Sequence, residues 1–163
     1  MANISQGAQA NLNGKIFEDM CVPVFKNHGY AVFKETEVDK CPNLIKGLSR
    51  YVLTNAKYTT IYNEGGRTEF VIYNGDRKVR VENKYQSRAG SVDEKFVYTL
   101  LNAIEAYPEK EVIIVIDGGG YKPGARKWVQ DRIDENWLNF RDKKDIQLFN
   151  IVEFIQWFDR EMD

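Results

Sequence analysis

The sequence predicts an α/β protein with a mixed central β-sheet flanked by α-helices. Three observations carry this expectation. Val112-Ile113-Ile114-Val115-Ile116 is an unbroken apolar run closed by Asp117-Gly118-Gly119-Gly120, the pattern of a strand buried on both faces. Asn74-Gly75 separates two runs rich in β-formers, the strongest short-range hairpin signal, because both residues tolerate positive φ. Elsewhere the apolar residues recur at intervals of three and four, which gathers them on one stripe of a helix. A chain of 163 residues is long enough for one sizeable core and short for two, so one domain over 1–163 is expected.

The elements follow in order. Leu12, Ile16, Phe17, Met20, Val24 and Phe25 make one stripe of a first helix over 9–27, with Pro23 inside it and His28-Gly29 ending it. Residues 30–33 read as a short strand. Pro42 suits a first helical turn, and Leu44, Ile45, Leu48, Tyr51, Val52 and Leu53 then form the apolar side of a helix, so an inserted helical or strand element is expected at about 36–66. A meander follows: strand 58–62, a turn at Asn63-Glu64-Gly65-Gly66, strand 68–73, the Asn74-Gly75 turn, and strand 77–85. Phe96, Val97, Leu100, Leu101, Ala103 and Ile104 place a helix over 93–107. The buried strand 112–116, a helix over 125–138, a strand 146–149 and a last helix 151–162 complete the chain.

Composition narrows the function. With 23 basic and 24 acidic residues the net charge is -1, so no global field recruits a polyanion, and nucleic-acid binding must come from a local patch. The longest apolar run is far short of the roughly 20 residues a membrane helix needs. Residues 1–11 are polar and lack the regions of a signal peptide, so an intracellular, cytoplasmic setting is expected. Cys21 and Cys41 have no metal-ligand spacing and should stay reduced there. The single histidine, His28, lies at a helix end and suits a cap or surface role. Trp128, Trp137 and Trp157 fall at helical apolar positions and suit a core.

The hairpin concentrates chemistry. With a two-residue Asn74-Gly75 turn, Tyr73 pairs with Asp76 and Glu69 lies opposite Arg80. Alternation then sends Glu69, Arg80, Glu82 and Lys84 to one side of the sheet, and Phe70, Ile72, Val79 and Val81 to the core side. Adjacent carboxylates repel unless a cation sits between them. Mg²⁺ suits such a place, since it takes oxygen ligands and typically one or two protein carboxylates. That chemistry fits phosphodiester hydrolysis, with Lys84 orienting water or neutralising charge on the phosphate. The alternative is a solvated sheet face of surface ion pairs.

These residues resemble the PD-(D/E)XK nuclease superfamily. An acid stands in Thr68-Glu69-Phe70-Val71-Ile72, and Glu82-Asn83-Lys84 follows on the next strand. Gly14-Lys15-Ile16-Phe17-Glu18 is similar to the Gly-x-x-x-Glu of many members, and Gln86 to the glutamine that often follows the lysine by two. The resemblance runs from the first helix through the strand ending at Asp117. It implies a restriction endonuclease-like fold, with Glu69 and Glu82 binding one or two Mg²⁺ (or Mn²⁺ as substitute). It further implies that Lys84 assists the attacking water, that Glu18 supports a metal through water, and that Gln86 joins the catalytic set. Thr68-Glu69 departs from the usual Pro-Asp and lengthens the side chain by a methylene. Both acids and the lysine are kept, which favours activity.

The expected function is thus a Mg²⁺-dependent DNA endonuclease making site-specific double-strand cuts, of restriction or homing type. A structure-specific nuclease such as a Holliday junction resolvase, an RNA-cutting nuclease and a non-catalytic nucleic-acid-binding module are the alternatives. One compact site cuts one strand, so a homodimer or higher symmetric oligomer is expected on duplex or branched DNA. Candidate DNA contacts are Arg88, Ser91 and Lys95, where Ser91 with Glu94 forms a capping box, and Lys122, Arg126 and Lys127, in a glycine-rich loop leaving the buried strand.

Overall fold

The computed structural model describes residues 6–87 and 92–163. Six strands form one mixed sheet in the order β1-β2-β3-β4-β5-β6, so each strand lies beside its neighbour in sequence. They are β1 (Ala31–Lys34), β2 (Arg50–Thr59), β3 (Gly65–Asn74), β4 (Arg77–Tyr85), β5 (Glu111–Asp117) and β6 (Asp145–Phe149). The helices are α1 (Gln6–Asn27), α2 (Glu35–Lys40), α3 (Val92–Glu105), α4 (Pro123–Asp134) and α5 (Ile151–Glu161). β2, β3 and β4 pair antiparallel, whereas β1 with β2, β4 with β5, and β5 with β6 are parallel and joined through helices. This is the α/β mixed sheet expected of a restriction endonuclease-like fold.

Each face of the sheet carries its own core. Phe17, Cys21 and Phe25 of α1 and Phe154, Trp157 and Phe158 of α5 close over Phe70, Ile72, Val79, Val81, Ile113 and Val115. On the opposite face, Phe96, Leu100 and Ala103 of α3 and Val129 and Ile133 of α4 close over Val112, Ile114 and Ile116. β5 therefore buries side chains on both faces, as its unbroken apolar run requires. In α1 the buried stripe is narrower than the periodicity implied, since Leu12 and Met20 are exposed. Gly29, at φ +80°, ends α1, and His28 faces Asp159 and Asp163 at the end of the chain. Trp157 is buried; Trp128 and Trp137 are half-buried and meet edge to face against the second core.

Three local expectations are corrected. The helix expected from Pro42 is only a 3₁₀ turn, Pro42–Ile45, and Arg50–Thr59 is instead a ten-residue strand. Gly47 at φ +78° interrupts the helical run, and Tyr51, Val52 and Leu53 satisfy both faces of a sheet as well as one face of a helix. β2 consequently stops at Thr59, and the chain turns where Thr60 N–H donates to the Glu64 carbonyl. The fourth helix ends at Asp134 rather than 138, because Asn136, Leu138 and Asn139 take positive φ.

The third correction concerns the hairpin register. The turn residues are Gly75 and Asp76, Asn74 pairs with Arg77, and Tyr73 pairs with Lys78 rather than Asp76. Only Gly75 has positive φ, the pattern of a II′ turn with glycine first. Core packing selects this register: it sets Ile72 opposite Val79 and Phe70 opposite Val81, whereas the alternative would set Ile72 opposite Arg77. A shift of two residues keeps every side chain on its face but carries Arg80 away from Glu69 to a place opposite Val71.

Candidate active site

The β3–β4 ladder ends at Phe70 opposite Val81. Beyond it β3 remains paired with β2 as far as Gly65 opposite Thr59, and β4 remains paired with β5 as far as Tyr85 opposite Asp117. The two strands thus part at Glu69 and Glu82. Between them lies a cavity of about 230 Å³ lined by Glu69, Glu82, Lys84 and Gln86, with Asn13 and Gly14 of α1 and the cationic Arg67 and Lys95 at its edges. Glu82 is buried, Lys84 is half-buried, and the Lys84 ammonium donates to the Glu82 carboxylate. Gly14 lets Glu69 lie against α1: a β-carbon there would stand 3.2 Å from Glu69 Oε1. Gln86 is held by its backbone, donating to the Asp117 carbonyl and accepting from Gly120 N–H.

The electrostatics of this cavity disfavour the charged form of Glu69. The Glu69 carboxyl is pushed up to about 7, first by burial and then by the charge of Glu82, with Glu18 adding to it and Lys84 opposing. Lys84 already neutralises Glu82. A hard divalent cation between Glu69 and Glu82 would relieve both the desolvation and the repulsion, and the donors are oxygen only, as such ions prefer. Among the described residues no three His, Cys, Asp or Glu side chains converge, so the remaining ligands would be backbone, water or substrate oxygens, as Mg²⁺ commonly accepts. Glu18 stands on the other side of Glu69, in an adjoining cavity with Lys15, Lys34, Thr36 and Asn55.

A model of the PD-(D/E)XK nuclease superfamily domain matches residues 9–162, nearly the whole chain. The chain belongs to the PD-(D/E)XK nuclease superfamily. No curated protein and no solved structure gives a significant match. As a PD-(D/E)XK domain, the chain is a nuclease, with a nucleic acid as substrate and divalent metal as the usual requirement of the family. The acid on β3 and the Glu-x-Lys of β4, Glu82 and Lys84, occupy the fork of the sheet just described.

Not every residue that the sequence suggested meets in this PD-(D/E)XK cavity. Lys95 does. Arg88 and Ser91 lie outside the described residues, and the capping box built on Ser91 lies there with them. Lys122 is exposed and bonded through its backbone to Asp93, Lys127 pairs with Asp131, and Arg126 turns towards Glu153 beside β6. Arg67 and Asn13 were not foreseen, yet both line the cavity. Arg67 stands two residues before Glu69 on β3, a same-side spacing legible once that strand is drawn. Asn13 precedes Gly14 on α1 and could be found only after the helix was docked on the fork. Among the described residues, no helix is long and apolar enough to cross a membrane.

Proposed function

We propose that this PD-(D/E)XK domain is a Mg²⁺-dependent DNA endonuclease that hydrolyses phosphodiester bonds, making site-specific double-strand cuts as a homodimer. The observation that supports the reading best is that Glu69, Glu82 and Lys84 share one cavity where β3 and β4 separate. Glu69 and Glu82 hold the cation, with Glu18 supporting from behind Glu69. The cation, when bound, supplies Lewis-acid polarisation of the phosphodiester and activation of water. Lys84, fixed beside Glu82, orients the attacking water and offsets charge growing on the phosphate. Gln86 borders the same space, and Lys95 and Arg67 at its rim contact neighbouring phosphates. Arg88, Ser91, Lys122, Arg126 and Lys127 supply outer contacts to the DNA.

The deciding experiment offers supercoiled plasmid, a four-way junction and a structured RNA side by side, each with Mg²⁺, with Mn²⁺ and with EDTA. Cleavage of the plasmid at discrete positions, lost in EDTA, supports the proposal; cutting confined to the junction or to RNA overturns its substrate. Glu82→Ala should abolish cleavage yet retain Ca²⁺-supported DNA binding. Light scattering on the eluted protein reads the dimer directly.

A further inference from the structure

The β2–β3 ribbon stays level with the acids after its ladder to β4 has ended, so ladder hydrogen bonds do not hold it there. Side chains do: Asn83 of β4 hydrogen-bonds Glu69 itself, and Arg80 makes the more extensive bridge. Arg80 of β4 donates from Nη1 to Thr68 Oγ1 on β3 at 2.8 Å and to the Ala56 carbonyl on β2 at 3.4 Å. Its Nη2 donates to the Lys57 carbonyl on β2 at 3.1 Å, and Nε and Nη2 grip Glu109, before β5, at 2.5 and 3.0 Å. The guanidinium also lies over the rings of Tyr58 and Tyr107, 5.7 and 5.4 Å from their centroids. Arg80 is 3% exposed and Glu109 8%.

A buried ion pair is a weak source of stability, since apolar residues of like volume commonly do as well or better. Its placement offers a better reason for it. Arg80 stands two residues before Glu82 on the same side of β4, and its partner Thr68 is the residue next to Glu69. One guanidinium therefore ties the strand of one acid to the immediate neighbour of the other. It is buried and is not among the residues that line the cavity holding the acids.

We propose that Arg80 is a positioning residue that clamps the β2–β3 ribbon to β4, thereby setting the Glu69–Glu82 separation at which the divalent cation binds; the inference rests on the function proposed above. Residues that orient metal ligands in this way typically alter metal affinity by about 10- to 100-fold.

The test titrates Mn²⁺ calorimetrically into metal-free wild type, Arg80→Lys, Glu109→Gln and Thr68→Val, with melting temperatures taken on the same samples. Thr68→Val is near-isosteric and removes only the bond to β3, so it decides the matter if Arg80→Lys does not fold. The expected result is Mn²⁺ binding about tenfold weaker in Thr68→Val and weaker still in Arg80→Lys. Cleavage should recover towards wild type at saturating Mn²⁺, with KM for nucleic acid unchanged. Lower melting temperatures with unaltered Mn²⁺ affinity would overturn the clamp and leave the nuclease reading standing. A wild type that neither binds Mn²⁺ nor cuts would remove the functional proposal itself, and this inference with it.

Discussion

Glu69 shows how far a single side chain can be driven by its surroundings. Burial and the neighbouring Glu82 push its carboxyl from the ordinary 4.5 up to about 7 in the folded protein. Below 4.5 both states hold the proton and nothing is lost. Between 4.5 and 7 the unfolded chain releases it first, so stability falls as pH rises, by on the order of 3 kcal/mol, and levels off above 7. Urea unfolding in EDTA at pH 5 and pH 8 should show this loss, and Glu69→Gln should be flatter by that amount. Added Mg²⁺ should restore more stability at pH 8 than at pH 5, because only the ionised carboxylate holds it. Gly14 belongs to the same scale. Alanine in a helix interior ordinarily gains up to about 1 kcal/mol over glycine. At Gly14 the new methyl would press on Glu69 Oε1. We expect Gly14→Ala to leave the melting temperature near that of wild type while cleavage drops by about tenfold or more, since displacement of a ligating atom costs rate steeply.

At the scale of elements, the site exists because β3 and β4 pair closely at their turn and diverge beyond Phe70 and Val81. The backbone of Gln86, at the end of β4, is fastened by the end of β5 and the loop that follows it. Gly118, at φ +100°, packs so tightly there that a β-carbon would lie 2.4 Å from the Gln86 carbonyl oxygen. Gly118→Ala should therefore cost about 2 kcal/mol or more, combining backbone strain with a clash against main chain that cannot rotate away. Thermal unfolding measures the loss, and residual activity below the melting point should fall as well, because Gln86 borders the cavity.

The whole molecule stacks two cores on one sheet and leaves its chemistry at one end of it. That division predicts how its cysteines behave. Cys21 is buried between α1 and the sheet, and burial followed by the charge of Glu69 pushes its thiol up to about 12; Cys41 is exposed. A thiol reagent at pH 8 should modify Cys41 alone in the native protein and both cysteines in denaturant, read by mass spectrometry. Rapid labelling of Cys21 without denaturant would mean that α1 leaves the sheet, and with it the wall that Gly14 provides for Glu69. The molecule's net charge of -1 adds a further consequence: attraction for nucleic acid must come from local groups of cations, and it should weaken with salt.

Local periodicity was enough to place α1, α3, β4, β5, β6 and α5 to within a few residues, because each has one unambiguous repeat and a turn or cap residue at its end. Glu69, Glu82 and Lys84 became candidates through strand alternation together with the resemblance to the family motif, and the two-residue spacing of Glu82 and Lys84 in β4 survives any register. Periodicity failed at Arg50–Thr59, where a short apolar run reads equally well as helix or strand and only a place between β1 and β3 resolves it. It failed again at the hairpin, where the turn chemistry of Asn74-Gly75 was legible but the register was decided by which side chains fill the core. What the amino acids alone determined is therefore the fold class and the candidate site residues, both legible from short stretches of the chain. The parting of β3 from β4, the docking of α1 against Glu69 and the burial of Arg80 came only with tertiary structure, because each balances packing between segments far apart in sequence.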